Sequence, residues 1–202
     1  MNPDLSILTL YNLSYSTPDG RALGANINVE LGKGEILLIT GPNGSGKSTL
    51  LEVILGRQVP FDGHVKLDTP RQAISYLPQM QDSQTHMPFS LRDALQVSTA
   101  LNMDDEIESL GLLSSKQLNL GWNHASGGEK RRTLLTRIFL QKPELIVLDE
   151  PFNHLDIDSR GVMLSSLSRF VTERNNSVIL STHEGFENES DLSDLAIKHI
   201  AL

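Results

Sequence analysis

Nine consecutive residues, Gly41-Pro42-Asn43-Gly44-Ser45-Gly46-Lys47-Ser48-Thr49, set glycines, a lysine and hydroxyls in the spacing G-x-x-x-x-G-K-[ST]. Such a loop grips phosphate. Glycines let backbone N–H groups close around the oxygens with no Cβ in the way. A helix opening at the lysine adds partial positive charge. On this reading Lys47 reaches the β- and γ-phosphates of a nucleoside triphosphate, and the Ser48 hydroxyl is a Mg²⁺ ligand. About a hundred residues further on, Leu145-Ile146-Val147-Leu148 runs into Asp149-Glu150. Phosphoryl transfer asks mainly for positioning and charge neutralisation. Asp149 suits the metal, directly or through water. Glu150 suits the attacking water, which it would orient and polarise.

These groups need a scaffold that brings distant segments to one place. Three apolar runs have the length of buried parallel strands: Ile36–Ile39, Leu145–Leu148 and Val178–Leu180. A fourth, Ala73–Leu77, is weaker. They end at Thr40-Gly41-Pro42, Asp149-Glu150-Pro151, Ser181-Thr182-His183 and Pro78-Gln79. Ligands of open α/β sheets bind beyond the carboxyl ends of the strands, so four polar ends predict one shared site. Helical spacing of apolar residues predicts helices over Lys47–Leu55, Glu129–Leu140 and Ile157–Thr172. In the second of these, Arg131 and Arg132 fall off the apolar side. Short strands are expected at Ile7–Leu10 and Ile27–Glu30, with a turn at Pro18-Asp19-Gly20 between them. Phe89 to Leu120 reads as a small, polar, helical lobe.

Composition narrows the classes of function. A chain of 202 residues with 39% hydrophobic and 21% charged residues suits one globular domain with room for a small lobe. The absence of cysteine excludes disulfides and thiolate metal sites. A net charge of −8 argues against a nucleic-acid surface, which would gather Lys and Arg. The N-terminal residues lack a signal-peptide pattern, and no run approaches the roughly 18 apolar residues of a membrane span. A membrane role would need a partner.

Ala125-Ser126-Gly127-Gly128-Glu129 follows the phosphate loop and precedes the acidic strand. Ser126 and Glu129 form a capping-box pattern that opens the next helix. The segment also resembles the LSGGQ signature of ATP-binding-cassette (ABC) nucleotide-binding domains, and the resemblance runs from about Leu5 to the C-terminus. Ala125 stands where that signature has Leu, and Glu129 where it has Gln. Ser126, Gly127 and Gly128 are kept.

The resemblance implies a P-loop α/β fold: a RecA-like, mostly parallel core, an N-terminal antiparallel β subdomain and a small helical subdomain. The implied bounds are 1–35 with part of 60–75 for the β subdomain, 36–88 and 126–202 for the core, and 89–125 for the helical part. It implies an ATPase with ATP and Mg²⁺ as ligands, working as a head-to-tail dimer. Gly41 to Thr49 of one chain and Ser126, Gly127 and Gly128 of the other would enclose each ATP. Residue by residue, Gln79 resembles the glutamine at Mg²⁺ or its water, and His183 the switch histidine at the γ-phosphate. Asp156, in Asn153-His154-Leu155-Asp156, resembles the key residue of the loop that crosses the dimer interface; the plainer role is a helix cap before Ile157. Tyr15 is the expected adenine-stacking aromatic, with Tyr11 as competitor. Lys47, Gln79, Glu150 and His183 form the implied catalytic set, and Ser48, Gln79 and Asp149 the metal set.

The partners implied are a second ABC subunit, identical or not, and an integral membrane subunit docking near Gln79 to Leu95. The chain itself would be peripheral at the cytoplasmic face. The wording Met87-Pro88-Phe89-Ser90-Leu91-Arg92-Asp93 is similar to that of metal-ion and related small-solute importers. The alternative is a non-transport relative: Asn-His-Leu-Asp and Gly-Gly-Glu-Lys-Arg-Arg also resemble the ribosome-associated translation-factor branch. Those proteins carry two cassettes and a charged linker, which this acidic single-cassette chain lacks.

Overall fold

The computed structural model describes residues 6–17, 19–79, 88–96, 103–153, 155–183 and 195–202. Pro18 of the expected turn, Met80 to Met87 of the expected docking segment, residues 97–102 of the expected lobe and His154 lie outside them.

Five strands form a parallel sheet: β3 (Glu35–Thr40), β5 (Ile74–Leu77), β6 (Leu145–Asp149), β7 (Ser177–Thr182) and β8 (Ala196–Ala201), in the order β5-β6-β7-β3-β8. Its interior strands are apolar without alternation because both faces are covered. The pleat sends alternate residues to opposite sides. Ile36, Leu38, Ile146, Leu148, Val178 and Leu180 meet α5 (Gly127–Leu140) and α6 (Ile157–Arg174) through Leu135, Ile138, Phe139, Met163, Leu167 and Phe170. Leu37, Ile39, Leu145, Val147 and Ile179 pack on the other side. There they meet α1 (Lys47–Ile54), through Leu50, Leu51 and Ile54, and β1 (Ser6–Ser16), through Leu8, Leu10 and Leu13.

A second sheet is antiparallel, in the order β2-β1-β4, with β2 at Ala22–Gly32 and β4 at Asp62–Leu67. A third cluster joins α2 (Leu91–Gln96), α3 (Met103–Leu110) and α4 (Ser115–Leu118) through Leu95, Ile107 and Leu118, with Leu113 of the α3–α4 connection, and rests on Leu140 of α5. The fold is thus the mixed α/β, P-loop arrangement expected from the sequence.

Three features differ from expectation. β1 and β2 are 11 residues each, far longer than the short apolar runs within them. β4 and β8 carry no apolar run at all: Asp62-Gly63-His64-Val65-Lys66-Leu67 is half exposed, and β8 sits at the sheet edge, paired with β3. Arg131 does not lie on a solvent face. It is 1% exposed, under the carboxyl edge of the parallel sheet.

Candidate functional site

Parallel pairing sets the site. Leu77 is opposite Leu148, Asp149 opposite Ser181, and Thr40 opposite Thr182. Four strands therefore end side by side, and the residues after them emerge on one edge: Gly41 to Thr49, Gln79, Glu150 and His183.

The phosphate loop turns from β3 into α1. Gly44 has φ 80° and Gly46, the α1 N-cap, φ 102°, left-handed values that an L side chain resists. A Cβ on Gly46 would stand 3.0 Å from Leu23. Lys47 is 4% exposed; its Nζ donates to Gly41 O at 2.8 Å and Pro42 O at 3.0 Å. It also lies 3.2 Å from Glu150 Oε1. The Ser45 hydroxyl is buried without a hydrogen-bond partner. A buried polar atom in that condition is costly, so a loop that carries one fits an oxygen-rich guest. Ser48 and Thr49, the first hydroxyls of α1, line the same cleft.

The acidic pair splits its duties. Asp149 is buried at the end of β6, where Ser181 Oγ donates to its Oδ1. Glu150 leaves the strand with φ 45°, a left-handed conformation that non-glycine residues seldom adopt and that clusters at functional sites. Its N–H donates to Ser181 O at 3.1 Å and Ser181 Oγ at 3.0 Å, which holds the turn. Its Oε2 accepts from Asn153 Nδ2 at 2.7 Å and Gln79 Nε2 at 3.2 Å. Lys47, Gln79 and Glu150 thus meet in one cleft of about 320 Å³. A larger groove of about 710 Å³, bounded by Arg57, Val59, His64, Arg71 and Tyr76, includes none of these groups. Chemistry, not size, identifies the site. No group of three or more His, Cys, Asp or Glu placed to hold a metal ion occurs among the described residues. A hydroxyl plus one carboxylate is nonetheless the protein donor set that Mg²⁺ takes when phosphate oxygens and water complete its shell.

Ser126 and Gly127 are exposed and stand outside this cleft. Ser126 caps α5: its Oγ accepts from Glu129 N at 3.2 Å, and Glu129 Oε2 accepts from Ser126 N at 2.8 Å and Ser126 Oγ at 2.9 Å. The backbone N–H of Ser126 holds the Glu129 carboxyl below its ordinary range, with help from the Ser126 hydroxyl and Gln117. Asp156 is the N-cap of α6. Its Oδ1 accepts from Ser159 N at 2.8 Å, and its carboxyl too is held low, first by that N–H. His183 is exposed, directly after β7.

Tyr15 must be reassigned. It is 1% exposed, packed with Leu10, Leu13 and Leu50, and burial pushes its phenol up to about 12. Its hydroxyl has no partner. A ring enclosed in the core presents no face to a base. Tyr11, its competitor, is 59% exposed but sits in the middle of β1 and does not line the cleft. The wall beyond the phosphate loop is instead Thr17, Arg21 and Leu23. Nothing in the residue types around Pro18 signals that wall. Asn153 and Ser181 also escaped the sequence reading. Their signal was proximity: one lies three residues after Glu150, and the other lies in register with Asp149.

The family model described as ABC transporter matches residues 25–153. The zinc import ATP-binding protein ZnuC of Photorhabdus laumondii is 31% identical over 180 residues, 89% of this chain and 69% of that protein. Among solved structures, a putative metal-chelate type ABC transporter in an inward-facing conformation superposes with a TM-score of 0.76. It is 26% identical, over 98% of this chain and 80% of that one. The cbiO1 protein of Clostridium perfringens, part of the ABC transporter complex cbiONQ, shares the fold at a TM-score of 0.70, with 24% identity over 89% of this chain and 79% of that one. The ribosome-associated alternative is not favoured by these relatives. On the family model, which matches well over half of its residues, and on these relatives, the chain belongs to the ABC transporter family, as an ATP-binding subunit.

Proposed function

We propose that the chain hydrolyses ATP·Mg²⁺ in a site that a second cassette completes, and that this drives transport through a separate membrane subunit. The observation that carries the reading is the split of the machinery. Lys47, Gln79 and Glu150 share one cleft, while Ser126 to Gly128, a helix start suited to anions, faces solvent outside it. Two copies placed head to tail would bring each helix start to the other's triphosphate. Asp156, capping α6 at an exposed edge, is the residue proposed to cross that interface, and His183 the one proposed to contact the γ-phosphate.

In this mechanism Lys47 exchanges Glu150 for the β- and γ-phosphate oxygens. The backbone N–H groups from Gly44 to Thr49 cradle those oxygens. Ser48 and Asp149 would hold Mg²⁺, with Gln79 at its edge; the ion, when bound, offsets phosphate charge. Glu150, freed from Lys47 and steadied by Asn153, orients a water against the γ-phosphorus. The water oxygen forms the new P–O bond as the bond to the β,γ-bridging oxygen breaks, leaving ADP and phosphate. Thr17, Arg21 and Leu23 form the proposed nucleobase wall.

No helix of the described residues is long and apolar enough to cross a membrane. The transport reading therefore assigns the chain to the cytoplasmic face, held by a membrane partner near Gln79 to Leu95. The test is co-purification of the tagged full chain from its native cell, with ATPase assay of the product. A multi-span membrane protein and magnesium-dependent turnover that rises faster than protein concentration support the reading. Recovery with ribosomes, or no turnover with either partner, defeats it.

A further inference from the structure

Among the described residues Arg131 is the largest side chain buried below 2% exposure, and each of its three nitrogens donates to a main-chain carbonyl. Nε donates to Pro151 O at 3.2 Å, Nη1 to Pro78 O at 3.1 Å, and Nη2 to Asp149 O at 2.8 Å. Those carbonyls belong to different pieces of the site. Pro78 immediately precedes Gln79. Asp149 and Pro151 flank Glu150. Arg131 itself lies in α5, the helix whose N-terminus is Ser126 to Gly128.

Burial lowers the guanidinium and the nearby charges of Asp149 and Glu150 offset part of that, leaving it at about 10, so it stays a cation near neutral pH. A buried cation is costly, and an apolar residue of similar volume is commonly as stable or more so. Stability alone is a weak reason for an arginine here. The planar fork, with five N–H donors at fixed angles, holds three carbonyls in a set geometry from three separate nitrogens. A lysine ammonium, a point donor on a flexible stem, does not reproduce that spread.

We propose that Arg131 is a positioning residue that ties the signature helix to both side chains that handle the water and the metal, Glu150 and Gln79. Any shift of α5 when a second cassette engages Ser126 to Gly128 is carried by the guanidinium to the peptides on either side of Glu150 and to the peptide before Gln79. The link rests on the proposed ATPase reading for its purpose, but its geometry stands apart from that reading.

The test compares Arg131→Lys and Arg131→Met in the full chain with the parent, measuring ATPase kcat and KM, nucleotide Kd, melting temperature and amide exchange. A misplacement of catalytic groups by about 1 Å costs about 100-fold, so kcat should fall about 10–100-fold in both variants. Kd should stay within about threefold, because Lys47 and the phosphate loop are untouched. Amide exchange should quicken at Gln79 and from Glu150 to Asn153, and not in β1 or β2. A kcat near parental in either folded variant overturns the link. So does a parallel loss of kcat, Kd and melting temperature that disappears on cooling, which marks a purely structural role. Absence of turnover in the parent would defeat the ATPase reading instead. The exchange pattern would then decide the link by itself, with unchanged exchange at Gln79 and Glu150 overturning it.

Discussion

The ammonium of Lys47 sits 3.2 Å from the Glu150 carboxylate, and both are nearly closed to solvent, at 4% and 7% exposure. The group proposed to grip phosphate and the group proposed to orient water therefore hold one another. Entry of a triphosphate has to separate them, which frees the carboxylate when its target arrives.

Lys47→Ala should abolish most nucleotide affinity, raising Kd by about 100-fold or more, a loss of about 3 kcal/mol. It should also lower the melting temperature of the nucleotide-free protein, because removing one partner of a buried pair leaves the other charge unpaired. Titration with a fluorescent ATP analogue and a thermal melt check both. Unchanged affinity would overturn the phosphate-loop assignment.

Glu150→Gln keeps the shape of the side chain and the hydrogen bond from Asn153, but removes the charge that polarises water. Turnover should fall by about 100- to 10,000-fold, with ATP affinity retained. Gel filtration with magnesium and ATP should show a shift to the mass of two chains. Turnover close to parental would remove Glu150 from its role.

Tyr15→Phe should leave nucleotide affinity unchanged and should not lower the melting temperature, since the lost hydroxyl has no partner. Arg21→Ala should weaken ATP binding by about 0.5–1 kcal/mol, the scale of an exposed cation–π contact. With no aromatic face in the wall of Thr17, Arg21 and Leu23, GTP should bind within about tenfold of ATP. Competition binding measures each of these. Loss of nucleotide affinity in a folded Tyr15→Leu protein, which removes the ring itself, would restore the tyrosine to the base site.

The Glu129 carboxyl is held below its ordinary value of 4.5 by Ser126. Folding thus favours the ionised form. The capping box adds stability above that value and loses it as pH falls through the lowered folded value. Glu129→Gln should therefore lower the melting temperature at pH above about 6, where the ionised carboxylate stabilises the parent, and should flatten the acid limb of a plot of melting temperature against pH, the two proteins converging as pH falls through the lowered folded value. An identical acid limb in both proteins would show that the cap is not titrating there.

The sheet core was readable because its strands carry both faces in their composition. Leu145 to Leu148 and Val178 to Leu180 are apolar at every position, and their polar ends announced the site. β4 and β8 carry no apolar run to read, and only the family resemblance placed part of 60–75 in the β subdomain and the last residues in the core. One is a half-exposed strand of alternating character, and the other is an edge strand containing Lys198 and His199. The phosphate loop and Asp149-Glu150 are local motifs, legible as strings. Tyr15 failed because strand aromatics face the core more often than a ligand, and its facing depends on register with β2. Arg131 failed for the opposite reason. Helical periodicity placed it off the apolar stripe, but three strand-end carbonyls lie against that side of α5.

The order β5-β6-β7-β3-β8 gathers Lys47, Gln79, Glu150 and His183 from positions far apart in the chain. None of these contributions exists until the middle of the sheet is assembled. A nucleotide therefore has nothing to recognise in a half-folded chain, and it acts as a lock closed after the door, not a hand that guides it shut. Its presence should lengthen the lifetime of the finished molecule and leave the speed of reaching it unchanged.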